Sequence, residues 1–150
     1  MARPTYEVEY EQMLLGRHEL AHKGGRHRTA LLDRSAYILL SRIRVQGPMS
    51  IGELSDAFGL DASTLNRQTA AAMHAGLIER IADPAGGMAR KFRMTDEGLR
   101  LLTAERERVV SALDRVMNDW PDEDIAAFAG YLKRFNNGIE DLSRRPWPRP

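Results

Sequence analysis

The sequence predicts a mainly helical chain with one small β-hairpin. Three observations carry that prediction. Apolar residues recur at helical spacing through most of the chain. A single stretch, residues 77–94, instead places basic and apolar side chains in alternation around a turn-forming run. Cysteine is absent, and the 22 Lys+Arg against 21 Asp+Glu give a formal charge of +1. Without cysteine there is no disulfide framework, thiolate zinc site, cysteine nucleophile or thiol redox switch. With the charges balanced, any basic surface must come from where they sit. Apolar residues at 43% and charged residues at 29% describe an ordinary globular chain of 150 residues, enough for one domain with a real core. The longest apolar run, Ala36–Leu40, is far too short to cross a bilayer, and the acidic start lacks the parts of a signal peptide. The expectation is a cytoplasmic protein with no membrane partner.

The elements follow in order. Tyr6, Tyr10, Met13 and Leu14 predict a first helix over about residues 5–22, broken by the glycines of Lys23–Arg28. Leu32, Ala36, Leu39, Leu40 and Ile43 form the stripe of a second helix ending near Gly47-Pro48. Ser50-Ile51-Gly52-Glu53 has capping-box form and opens a short helix with Leu54, Ala57 and Phe58 inward. Gly59 stops it. Asp61 is placed to cap the next helix, whose inner face is Leu65, Thr69, Ala72, Met73 and Leu77, with Gly76 at its end. Residues 77–81 and 90–94 are the hairpin strands, joined through Asp83-Pro84-Ala85-Gly86-Gly87. Thr95 caps a fifth helix carrying Leu99, Leu102, Val109, Val110, Leu113, Val116 and Met117. After Trp120-Pro121 a last helix carries Ile125, Phe128, Leu132, Phe135, Ile139 and Leu142. The proline-broken tail, residues 144–150, is expected to be loose and non-helical.

Helix, short turn, helix, hairpin between about residues 48 and 95 is the order of a winged helix-turn-helix. The second of its helices would offer Ala62, Ser63, Thr64, Asn66, Arg67 and Gln68 to a groove. Small residues let a helix sit deep in the major groove of duplex DNA, and Asn, Gln and Arg can read base edges. A helix built to bind protein would more often display Leu, Trp or Tyr there. Within residues 62–93, Arg67, Arg80, Arg90, Lys91 and Arg93 outnumber Glu79 and Asp83 by three charges, on the outer helix and the hairpin. The expected base contacts are Ser63, Thr64, Asn66, Arg67 and Gln68. The expected phosphate contacts are Ser50, Arg90, Lys91 and Arg93. The competing account is a small helical protein-binding domain with a solvated hairpin.

These residues also carry a resemblance. Ser50–Leu54, Leu60–Arg67, Gly76–Arg80, Asp83-Pro84 and Met94-Thr95-Asp96-Glu97-Gly98 resemble the MarR family (multiple antibiotic resistance regulators), the last resembling its leucine-threonine-x-x-glycine at the exit of the wing. The order of the helices fits along nearly the whole chain. The resemblance implies a homodimeric transcriptional regulator, expected to be a repressor, held together by dimerisation helices in residues 5–30 and 100–143. Its recognition helices would enter successive major grooves of a pseudo-palindromic operator. It further implies a cleft near Met13, Arg17, Tyr37 and Arg44 for a small aromatic or anionic effector. Independently, the apolar stripe of the last helix would demand a partner if exposed; alternatively it covers the protomer's own core. One departure stands out. The family's aspartate-x-arginine at the wing tip falls on Gly86 and Met88, with Arg90 the nearest substitute, which predicts a looser wing using Arg90 and Lys91 on phosphate.

A rival motif lies on the first helix. His18-Glu19-Leu20-Ala21-His22 matches H-E-x-x-H, in which two histidines four apart hold zinc and the glutamate acts as base. The third histidine of the longer pattern belongs at position 28, which is Arg; the histidine present is His27. Residues 1–17, which precede the motif, read as helix, and no substrate-binding sheet follows. The expectation is no enzyme and no cofactor. A metal-responsive regulator using His18, His22 and His27 is the alternative, and a zinc metallohydrolase the remote one.

Overall fold

The computed structural model describes residues 3–18 and 31–150. Its elements are α1 (Thr5–Arg17), α2 (Arg34–Gln46), α3 (Ile51–Phe58), α4 (Ala62–His74), β1 (Ile78–Ile81), β2 (Lys91–Met94), α5 (Asp96–Val116) and α6 (Asp122–Ser143). The predicted class, mainly α with a hairpin wing, is what forms. The first helix is shorter than expected. It ends at Arg17, and His18 is already extended, its N–H closing onto the Leu14 and Leu15 carbonyls. Gly16 lies in this last turn, where glycine costs a helix about 1 kcal/mol relative to alanine.

Local signals set most boundaries. Asp33 caps α2 by accepting the Ala36 N–H at 2.7 Å. Both bonds of the capping box form: Ser50 Oγ accepts from Glu53 N, and Glu53 Oε1 from Ser50 N, each at 3.1 Å. Gly59 ends α3 in the left-handed region at φ 64°. Gly76, at φ 76°, ends α4 with paired bonds, Gly76 N to Met73 O and Leu77 N to Ala72 O, both 2.9 Å. Asp61 occupies the cap position of α4, but its side chain makes no cap bond.

The core lies in the head formed by α2, α3, α4, the hairpin and the start of α5. Leu39 and Leu40 of α2 meet Leu54, Leu65, Ala72, Leu77, Ile78, Phe92 and Leu102. The strands pair antiparallel, Ile78 opposite Met94 and Ile81 opposite Lys91. Met49 adds a one-residue bridge to Phe92, with bonds of 2.8 and 3.2 Å. Thr95 locks the wing to α5: its Oγ1 accepts the Gly98 N–H at 3.0 Å and donates to Gly76 O at 2.6 Å.

Gly98 is required by close approach. A Cβ there would stand 2.1 Å from the Leu77 carbonyl oxygen, which accepts the Thr95 N–H. Backbone held on both sides cannot move away cheaply. Gly98→Ala is therefore expected to destabilise the head by about 3 kcal/mol, the upper range for overpacking, measured as a shift of the denaturant midpoint at constant slope.

The outer helices behave differently. No residue of α1 or α6 is buried. The second half of α5 is likewise open, with Val110, Leu113 and Val116 exposed. The stripe on α6 therefore does not cover the protomer's own core. A T-shaped contact of Trp120 with Phe128 at 5.7 Å forms the corner between α5 and α6.

The tail is non-helical, as expected, but it is not loose. The chain reverses at Arg144, in the left-handed region at φ 56°, and returns to the head. Trp147 stacks on Phe58 of α3 with centroids 5.5 Å apart, and the Arg42 guanidinium of α2 lies 4.7 Å from the Trp147 ring. Glu140 accepts the Trp147 N–H and both Arg149 Nη atoms. The sequence reading missed this because prolines forbid helix without forbidding contact. The Arg149 guanidinium, then the Trp147 N–H, hold the Glu140 carboxyl down at about 2 against partial burial, and Arg42 adds attraction. A carboxyl depressed from the ordinary 4.5 contributes stability above that pH and loses it on the way down to its folded value. Tail contacts are thus expected to persist to about pH 4.5 and to fail between there and about 2. Tryptophan emission in acid should show that step, and Glu140→Gln should remove it.

Candidate nucleic-acid interface

Helical periodicity divides α4 into two faces. Leu65, Thr69 and Ala72 are buried, and Thr69 Oγ1 turns its hydroxyl back to the Leu65 carbonyl at 2.7 Å. Ala62, Ser63, Asn66, Arg67 and Ala70 are exposed, while Thr64 and Gln68 are half-buried. All five predicted base-reading residues thus lie on one helix, though not equally placed. Ser63 and Asn66 face outward, whereas Thr64, Arg67 and Gln68 edge a groove against the start of α2. Arg67 Nη2 reaches Thr64 Oγ1 at 3.4 Å, a weak tether one turn back.

The turn before α4 is closed by its own hydrogen bonds. Gly59 and Leu60 both donate to Ser55 O, and Ser55 Oγ donates to Leu60 O at 2.5 Å. The connection that leads from α3 into α4 is therefore held by bonds within a few residues.

The wing is braced differently from the sequence expectation. Lys91 Nζ sits 3.1 Å from Glu53 Oε1 and 3.8 Å from Asp83 Oδ1. The Glu53 hydrogen bond holds Lys91 above the usual lysine range. Partial burial pushes Glu53 up, but the Ser50 N–H and Lys91 together bring it below the usual carboxylate range. The capping-box glutamate thus doubles as an anchor of the hairpin. Asp83 also folds the loop, accepting the Ala85 N–H at 2.9 Å, and a Cβ on Gly87 would meet its carboxylate at 2.3 Å. Sequence reading could not see the Lys91–Glu53 pair, which joins residues far apart in the chain.

The predicted phosphate contacts consequently differ in freedom. Ser50 Oγ is engaged in its cap. Arg93 pairs with Glu79 across the strands, its Nε at 3.0 Å. Lys91 is held between two carboxylates. Arg90 is exposed and makes no ion pair among the described residues, and Met88 at the tip is fully exposed.

The histidine motif does not begin on a helix, because α1 has ended when His18 is reached. Glu19, His22 and His27 lie outside the described residues. His18 lines a groove between α1 and α6. Met13, Arg17, Tyr37 and Arg44 line neither this groove nor the one beside α4. No helix among the described residues is long and apolar enough to cross a membrane.

Comparison with known proteins bears on this geometry. The MarR family model matches residues 32–85, which span α2 through the first half of the wing. An uncharacterized HTH-type transcriptional regulator of Bacillus subtilis (strain 168), YxaD, is 33% identical over 138 residues, covering 92% of this chain and 96% of its own length. A MarR family protein from Bacillus stearothermophilus superposes with a TM-score of 0.67 at 18% identity, covering 93% of this chain and 99% of that one. The PcaV transcriptional regulator from Streptomyces coelicolor, solved in complex with its natural ligand, has a TM-score of 0.61 at 19% identity, covering 93% and 100%. With a polar-faced helix set on a hydrogen-bonded turn, a braced wing beside it and a relative this similar along nearly its whole length, the chain belongs to the MarR family and is a DNA-binding transcriptional regulator.

Proposed function

We propose that the protein acts as a cytoplasmic homodimer that binds a pseudo-palindromic operator and represses transcription. One observation carries the dimer: α6 presents Phe128, Leu132, Phe135 and Ile139 to solvent along one face. With Val8, Leu14 and Leu15 of α1 they line an open groove of about 1070 Å³. Contiguous apolar surface on helices that bury nothing in their own protomer calls for a second copy. Glu7, Glu11 and Arg134 at the rim supply charges of both signs for such a pairing.

In this reading Ser63, Thr64, Asn66, Arg67 and Gln68 contact base edges. Ser50, Arg90, Lys91 and Arg93 contact phosphate, with Arg90 the freest of them. Two recognition helices related by a dyad place half-sites about one turn, roughly 10 bp, apart. A small aromatic or anionic effector would release DNA by favouring a dimer with a different helix separation.

Capture of genomic fragments at physiological salt, followed by footprinting and sedimentation, tests the proposal. It expects two protected half-sites and a dimer; a monomer, or capture with no preferred sequence, overturns it. Arg90→Ala should flatten the slope of log affinity against log salt by about one, the loss of a single phosphate contact. Lys91→Ala should lower affinity mainly by freeing the wing, seen as faster amide exchange in β2. Unchanged affinity and slope in both variants would remove the wing from the interface.

A further inference from the structure

We propose that residues 145–149 form a strap through which α6 sets the position of the helix-turn-helix of its own chain, with Trp147 as the clasp between Arg42 and Phe58. The inference rests on the dimeric reading, in which α6 belongs to the interface and α4 to the DNA.

The close helix pairs of the head are α2 with α5, α3 with α4 and α2 with α4; α6 forms none of them. What ties the end of α6 to the head is the tail. Its contacts fall where they would matter. Arg145 Nε donates to Asp56 O at 3.2 Å, in the last turn of α3. Its guanidinium also lies over Gly59, where a Cβ would stand 2.8 Å from Cζ. Phe58, under the Trp147 ring, is the final residue of α3. The strap therefore grips the turn from which α4 departs.

Arg42 explains why a ring is needed. It is 7% exposed, its Nε bonds Gln46 Oε1 at 2.9 Å, and its Nη1 is buried with no hydrogen-bond partner among the described residues. A buried guanidinium with an unmet N–H is costly, and the face of Trp147 offers a compensating cation–π contact. When the strap lifts, the stack is lost but water returns to Arg42. That exchange keeps an open state within reach, as a two-state coupling element requires.

The test uses full-length Trp147→Ala, Trp147→Phe and Arg145→Ala. Each is measured for sedimentation, for amide exchange in α3 and residues 59–61, and for affinity on duplexes whose captured half-sites are moved apart by one or two base pairs. Trp147→Ala and Arg145→Ala are expected to stay dimeric and to bind a single half-site as the parent does. They should lose at least about fivefold of the discrimination between native and shifted spacing, the lower range of allosteric coupling, and exchange faster at the turn. Trp147→Phe should restore both. Parent-like discrimination and exchange in the alanine variants overturn the strap. A monomeric parent sinks the dimer instead, and the exchange rates at the turn then decide the strap alone.

Discussion

Arg67→Ala is expected to cost about 1–3 kcal/mol of operator affinity and to relax one base position, the range for loss of a bidentate contact to guanine. The structure favours Arg67 over its neighbours for this role. Its side chain is exposed on α4, and the 3.4 Å tether to Thr64 is weak enough to release cheaply. Gln68 and Thr64 are half-buried beside it and have less reach. Arg67→Lys separates base reading from charge. Lysine keeps the cation but loses the planar fork, so specific affinity should fall while affinity for random duplex holds. Equal losses on specific and random DNA in the alanine variant would make Arg67 a phosphate contact instead.

Phe135→Asp is expected to have the larger effect. Phe135 is 46% exposed in the protomer, so a carboxylate there finds water and does little to the fold. Across a dimer interface the same charge would be desolvated without a partner. The variant should sediment as a monomer that keeps the helical circular dichroism of the parent, while its unfolding midpoint no longer depends on protein concentration. Operator affinity should drop by about 10²–10⁴, because two linked half-site contacts become two independent ones. A Phe135→Asp protein that remains dimeric and binds as tightly as the parent would show that α6 is not the contact surface.

The parts of the fold legible in the sequence share one property: their cause lies within a few residues. The capping box at Ser50 and Glu53, the left-handed glycines at Gly59 and Gly76, the Asp83-Pro84 turn and the inward stripe of α4 all depend on neighbours in the chain. Gly98 is an intermediate case. The sequence marks it through its resemblance to a family motif, but the reason, a carbonyl in the space of a side chain, is visible only in three dimensions. The site divides likewise. The polar face of α4 follows from its periodicity, whereas the tethering of Lys91 and Arg93 to carboxylates depends on how the hairpin lies against α3 and on itself.

By itself, then, the order of residues determined a mainly helical chain with a hairpin and a helix that is polar along its outer face, since periodicity, caps and turn chemistry act over a single turn. Tertiary structure decided the rest. It left the apolar faces of α1 and α6 uncovered, made Glu53 the anchor of the wing and folded a proline-rich tail onto α2 and α3. Those outcomes turn on which distant surfaces meet. Burial of an apolar ring, or pairing of two charges, gains free energy only once the intervening chain has closed the distance.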